Sequence, residues 1–188
     1  MARIQPIEPP YDLDTGEQLG KMMPPGVDPI LLFRTFAKNL PMTAAMGTWG
    51  AYELSRDLSV SLRDREILID RTCARCGCEY EWGVHIAFFA ERAGLVPEQI
   101  ASITHGGAHD ACWTDDRDRL LIRTADALHD NATIDAALHD ELRVEFADHQ
   151  LLDIYMLCGW YHAISFTANA AGVALEPGAA TYADHRPG

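Results

Sequence analysis

Positive charge is scarce in this chain, long apolar runs are missing and the cysteines do not form an even set. Lys and Arg number 15 against 28 Asp and Glu, a formal net charge of −13. Nucleic acids and anionic membrane surfaces are gripped by clustered Lys and Arg that neutralise phosphate, so neither is expected as a partner. A small-molecule substrate or another protein chain fits this charge better. No apolar run approaches the roughly 18 residues of a membrane-spanning helix, and the start, MARIQPIEPPYDLDTGEQLG, has no apolar signal core behind its one early arginine. The five cysteines are an odd number, with three of them inside positions 73–78. Small secreted disulfide proteins spread an even set along the chain, so a soluble, cytoplasmic protein with reduced thiols is expected. Strict alternation with β-branched residues is also missing, as are an internal linker and a repeat, and this leaves helices as the building material.

With 188 residues, 48% of them hydrophobic, the chain can bury a core without covalent staples and is expected to form one domain. Residues 1–27 hold Pro6, Pro9, Pro10, Pro24 and Pro25 with Gly16, Gly20 and Gly26, a composition that denies both helix and central strand. They read as an arm able to wrap a neighbouring subunit. Residues 28–176 read as a single all-α domain, and 177–188 as a frayed tail.

Within the domain, Asp28 and Pro29 supply an N-cap and a first helical residue, and Pro41 breaks or restarts that helix. A second helix carries Met42, Met46, Trp49 and Tyr52. Residues 63–75 set Ile67, Leu68 and Ile69 against charged neighbours and end at Gly77, and the next helix runs through Trp82, His85, Ile86 and Phe89 to Gly94. Pro97 starts a short helix, Thr114 caps another and Thr133 opens a third. Residues 150–171 have almost no polar face, so this last helix belongs at the centre or in a subunit interface, closed by Gly172. The fold expected is an all-α bundle of roughly seven or eight helices.

The chemistry concentrates between Arg63 and Gly94. On a helix, Cys78, Glu81, Trp82 and His85 fall at positions i, i+3, i+4 and i+7 and share a face. Cys78 lies where the helix dipole favours the thiolate, while Glu79 and Glu81 oppose it. Glu66 stands nineteen positions before His85. If the two helices pack antiparallel across Gly77, a carboxylate and an imidazole can meet and relay a proton. Arg71 and Arg75, one turn apart, could clamp a substrate carboxylate or simply complement a helix C-terminus. Cys73, Cys76, Cys78 and His85 add up to a four-ligand zinc set, but their tight spacing across two helices argues against it, and no metal is expected. His105 and His109 near Cys112 read as exposed histidines of a glycine loop. Core packing, with the histidine bonded to a carbonyl, accounts for Cys158 and His162.

The segment R-D-R-E-I-L-I-D-R-T-x-x-R-C-G-C-E-Y-E-W-G-V-H resembles the carboxymuconolactone decarboxylase family, which includes the alkylhydroperoxidase D-like proteins. The likeness extends more loosely to DPILLFRTFAKN and to QLLDIYMLCGWYHAISFTANAAGVALE. It implies an alkylhydroperoxidase D-like helical fold, assembly as a homo-oligomer such as a trimer or hexamer, and no cofactor. The thiol-dependent branch of that family has a glutamate, then eleven residues, then Cys-x-x-Cys-x-x-x-His. Glu66, Cys78 and His85 take the glutamate, first-cysteine and histidine places, and Glu81 stands where the second cysteine would be. A local resolving thiol is thereby lost, so the pattern resembles the decarboxylase branch more closely.

Two activities follow from the resemblance. One is cofactor-free decarboxylation of a small carboxylated substrate, with Glu66, Cys78 and His85 as catalytic residues and Arg71, Arg75, Glu81 and Trp82 as substrate-binding residues. The alternative is a peroxiredoxin-type thiol antioxidant working through Cys78. A binding protein that keeps the fold without the chemistry is a third reading.

Overall fold

The helix Leu62–Arg75 is buried along most of its length, and the rest of the molecule is arranged around it. In the computed structural model, which describes residues 2–186, all regular structure is helical. The α-helices are α1 (Leu13–Lys21), α2 (Leu31–Phe36), α3 (Leu40–Glu53), α4 (Leu62–Arg75), α5 (Glu79–Phe89), α6 (Pro97–His105), α7 (Asp116–Asn131), α8 (Ala136–Glu145) and α9 (Asp148–Ala171). A 3-10 turn, Tyr182–His185, comes after them. None of the described helices is long and apolar enough to cross a membrane.

A capping box starts α4. The Ser61 hydroxyl accepts from the Asp64 N–H, and the Asp64 carboxylate accepts from the Ser61 N–H. From there α4 packs against α5, α6, α7 and α9, so Ile67, Leu68 and Ile69 are sealed from solvent. Asp64, Arg65, Glu66 and Arg71 are sealed as well, and they survive burial by pairing: Asp64 with Arg117, Arg65 with Glu66, and Arg71 with Asp126. The chain reverses at Gly77, whose φ of +60° is the left-handed geometry that a residue with a Cβ resists. There the Cys78 N–H donates to the Cys73 carbonyl at 2.9 Å, and α5 returns against α4.

Several boundaries differ from the sequence reading; α5 ends at Phe89 rather than running to Gly94, and α8 is capped by Asp135 rather than opened by Thr133. The proline-rich arm contains α1, because Asp12 caps it through the Thr15 N–H at 2.8 Å and Leu19 gains burial against the rest of the fold. That burial outweighs the two helix-interior glycines, each costing about 1 kcal/mol. The helix after Pro29 begins later, at Leu31, capped from a distance by the Glu176 carboxylate on the Leu31 N–H and the Tyr80 hydroxyl on the Leu32 N–H. The cap of α7 is Asp115 rather than Thr114. The described part of the tail is held in place. Tyr182 donates its N–H to Glu79 at 2.7 Å and sets its ring on Trp82, and the Ala180 carbonyl lies so close to Gly83 that a Cβ there would meet it at 2.5 Å.

The last helix serves two surfaces. Leu151, Ile154, Leu157, Cys158, Tyr161, Ile164 and Ala168 are buried, and α9 packs against α4, while Leu152, Met156 and Phe166 on other faces are exposed.

Candidate functional site

The α4–α5 hairpin brings Glu66 and His85 face to face. The His85 Nδ1–H donates to Glu66 Oε2 at 2.8 Å, with His85 and Glu66 3% and 0% exposed. On the other carboxylate oxygen, Arg65 donates from Nε at 2.6 Å, so both oxygens of Glu66 are engaged. The far nitrogen of the ring, Nε2, is 3.0 Å from the Tyr161 hydroxyl on α9 and 3.6 Å from Glu81 Oε1. A line of polar groups thus runs from α4 through α5 to α9 inside an apolar interior.

Burial alone would depress the His85 pKa, but the Glu66 charge and hydrogen bond, reinforced by Glu81, outweigh it and push the pKa up to about 10. At neutral pH the ring is an imidazolium with N–H donors on both sides. One turn beyond Glu66, Asp70 is fully buried and neither of its oxygens has a partner. Burial, with the Glu66 charge added, raises its pKa well above the carboxylate range, so it is held as the neutral acid.

The polar line ends on a cavity of about 330 Å³. Leu32, Phe36, Met46, Phe89, Trp160 and Ile164 make most of its wall, and Glu81, His85, Tyr161 and Lys21 are its ionisable lining. A second hollow, about 380 Å³, lies among Arg117, Arg119 and Arg123, away from these residues. Its guanidiniums are already committed to Asp64, to the carbonyls of Ala108 and Trp113, and to Glu141.

Of the residues singled out in the sequence, Glu66, His85 and Glu81 converge here. Cys78 is the N-cap of α5 and packs with Leu32, Phe36 and Tyr80, behind the cavity wall. Its pKa is raised, chiefly by burial, so the opposing effects of dipole and acids resolve against the thiolate. All five cysteines are free. The four-ligand set of Cys73, Cys76, Cys78 and His85 does not assemble, because His85 is committed to Glu66 and Tyr161 while Cys76 turns toward His129 at 3.8 Å.

Arg71 and Arg75 point away from the cavity, toward α7. Arg71 engages Asp126 with two nitrogens, at 2.6 and 3.0 Å, and the carbonyls of Ile103 and Gly106 with a third. Arg75 reaches Asp126 and Asp130. These placements leave neither guanidinium free for a ligand. Trp82 is buried under Tyr182 and His185 rather than facing the cavity. Tyr161, Arg65, Asp70 and Lys21 are the polar residues that the sequence reading missed. For Tyr161 the signal was masked, since its spacing on α9 is also that of a core residue.

Residues 42–122, from α3 into α7, match the carboxymuconolactone decarboxylase family. That stretch, less than half of the chain, is what is similar to the carboxymuconolactone decarboxylase family. The matched stretch contains Glu66, Cys78, Glu81 and His85, while Tyr161 lies beyond it. No curated protein matches the sequence. Among solved structures, an uncharacterized peroxidase-related protein from Silicibacter sp. TM1040 superposes with a TM-score of 0.78, covering 93% of this chain and 92% of that one at 17% identity. At that identity the likeness establishes the shared fold. The segment that matches the carboxymuconolactone decarboxylase family therefore sits inside an all-α architecture that extends over nearly the whole chain.

Proposed function

We propose that this protein is a cofactor-free, carboxymuconolactone decarboxylase-like lyase acting on a small carboxylated substrate in the cavity beside His85. The supporting observation is the buried line of Glu66, His85 and Tyr161 that terminates on a largely apolar chamber. In such a reaction the bond from carbon to carboxylate breaks, CO₂ leaves, and the electron pair moves onto a conjugated carbonyl as an enolate. His85 Nε2–H then gives its proton to carbon, and product release is followed by reprotonation from water. Glu66 holds the ring in register and balances the imidazolium, and the Tyr161 hydroxyl fixes its other edge. The imidazolium is also the cation closest to the developing enolate, and Lys21 on the cavity lining supplies the second positive charge for the incoming acid. The exposed Leu152, Met156 and Phe166 on α9 support the homo-oligomer in this reading, and the reduced thiols its cytoplasmic setting.

Incubation with carboxymuconolactone, following CO₂ release, tests the reading. Release that is lost in His85→Ala is the expected result. No release at high enzyme concentration excludes that substrate.

A second reading has its own observation. The Ser165 hydroxyl hydrogen-bonds within the thiol cluster, at 3.7 Å from Cys73 Sγ and also acting on Cys76 and Cys78. In a thiol peroxidase, Cys78 would take one oxygen from a hydroperoxide, releasing the alcohol, and a neighbouring thiol would displace water from the sulfenic acid to form a disulfide. The peroxidase-related label of the Silicibacter protein points the same way. Burial of Cys78 and the Glu81 position weigh against it. Intact-mass analysis after mild peroxide treatment separates the two, since an unmodified Cys78 leaves the lyase reading alone.

A further inference from the structure

Away from this cavity, three side chains from three helices point at one another: Cys76 at the end of α4, His129 near the end of α7 and His162 in the middle of α9. Their ligand atoms all lie within 4.8 Å of each other. Cys76 Sγ is 3.8 Å from His129 Nδ1, and His129 Nδ1 is 3.0 Å from His162 Nε2. In a tetrahedral zinc site, bonds of about 2.0–2.1 Å to nitrogen and 2.3 Å to sulfur put two nitrogens roughly 3.4 Å apart and a nitrogen and a sulfur roughly 3.6 Å apart. The two shorter separations, 3.0 and 3.8 Å, bracket those values, and with all three ligand atoms within 4.8 Å of one another a central ion would draw the side chains inward around it.

The surroundings fix the ligand atoms. His162 donates its Nδ1–H to the Cys158 carbonyl at 2.8 Å, which leaves the Nε2 lone pair facing the centre. This is the backbone-carbonyl support that metal-bound imidazoles ordinarily have. Phe166 packs edge-on against the His162 ring, and the two imidazoles stack at 28°. Asn169 holds the Cys76 carbonyl through its side-chain N–H at 2.9 Å. All three ligands are half-buried, so solvent can reach a fourth coordination position.

We infer that Cys76, His129 and His162 form a binding site for a borderline-soft divalent cation, zinc in the first instance, completed by a water molecule. Two imidazoles and a thiolate suit zinc in a tetrahedral geometry and exclude calcium and magnesium, which take oxygen ligands. On binding, Cys76 releases its S–H proton to solvent, His129 exchanges the Nδ1 proton it shares with His162 for one on Nε2, and the two imidazoles each contribute a lone pair. The site shares no residue with the cavity and does not depend on the lyase reading. Because its ligands come from α4, α7 and α9, an ion there would tie together the helices that frame the core.

Titration of the reduced, metal-free full chain with Co²⁺ under argon tests the site. The expected result is one Co²⁺ per chain with tetrahedral visible bands and a thiolate-to-cobalt charge-transfer band, all displaced by Zn²⁺. Cys76→Ser should abolish the charge-transfer band, while Cys78→Ser should keep it. His162→Gln should weaken binding by more than the roughly 10–100-fold that follows loss of a mere outer-shell partner. A wild-type spectrum without the thiolate band overturns the inference, as does a band that survives Cys76→Ser or disappears with Cys78→Ser. The wild-type spectrum reads the ligand set directly, so the site is tested even if a variant fails to fold.

Discussion

Glu66 Oε2 lies 2.8 Å from His85 Nδ1 inside the α4–α5 hairpin, sealed from water and further tied to Arg65. This contact holds the imidazole as its cation, with the pKa pushed up to about 10, against roughly 6.5 for an unfolded histidine. Because the folded value is the higher one, the contribution to stability is complete below about pH 6.5, declines as pH rises and is gone above about pH 10. One proton corresponds to a slope of about 1.4 kcal/mol per pH unit inside that window. Urea midpoints measured from neutral to alkaline pH should fall along this slope in the wild type. Glu66→Gln removes the charge that raises the pKa, so the variant should be less stable at neutral pH by about 2–4 kcal/mol and lose most of the slope. Parallel profiles for the two proteins would mean that folded His85 is neutral.

Tyr161→Phe should lower turnover of the carboxylated substrate by about tenfold with KM little changed, since the hydroxyl positions the ring rather than the ligand. A mutation of the proton donor itself should cost more, about 10²–10⁴-fold. The phenyl ring fills the same space, and Glu81 at 3.6 Å is at hand to take the freed Nε2–H, so stability should drop by only about 1 kcal/mol. Steady-state kinetics that show KM rising while kcat holds would place Tyr161 on the substrate instead.

Much of this architecture was legible because it depends on local chemistry. Gly77, Gly94 and Gly172 all have positive φ, and each marks a reversal that the sequence announced. The Glu66–His85 pairing followed from assuming that two helices fold back across Gly77. What could not be read were partners brought in from far along the chain. Tyr161 reaches His85 across 76 positions on a helix whose apolar spacing conceals its role, and Arg71 meets Asp126 across 55. Helix α1 was hidden for a related reason, because its two glycines and the prolines that flank it describe local preference while the burial of Leu19 is a tertiary effect. The histidine at 162 was read correctly as bonded to a carbonyl, yet its companion His129, 33 residues earlier, emerges only in three dimensions.

Glu81→Cys would restore a thiol at the third position of α5, one turn from Cys78, and remove a negative charge that raises the Cys78 pKa. If only the resolving partner is missing for peroxide chemistry, mild hydroperoxide should generate a disulfide between positions 78 and 81 and dithiol-dependent peroxide turnover should appear. Peptide mapping under non-reducing conditions detects the bond. The burial of Cys78 predicts a slow reaction at neutral pH, faster as the solution becomes alkaline. A variant that forms no disulfide would show that burial, rather than the lost cysteine, silences this thiol.

Arg71→Ala tests whether this guanidinium serves structure or substrate. It is 5% exposed, and its removal would leave the Asp126 carboxylate with only the longer Arg75 contact and strand the carbonyls of Ile103 and Gly106 where α4, α6 and α7 meet. Breaking a buried pair from one side costs about 3–5 kcal/mol, and the partial exposure of Asp126 places the expected loss near the lower end, about 3 kcal/mol. Arg71→Lys should recover only part of it, because an ammonium cannot engage both carboxylate oxygens and two carbonyls in the same plane. Since the guanidinium points away from the cavity, KM for a carboxylated substrate should stay within about twofold of wild type under conditions where the variant is folded. A large rise in KM without loss of stability would return Arg71 to the substrate-binding set and require the α4–α7 face to open during the reaction.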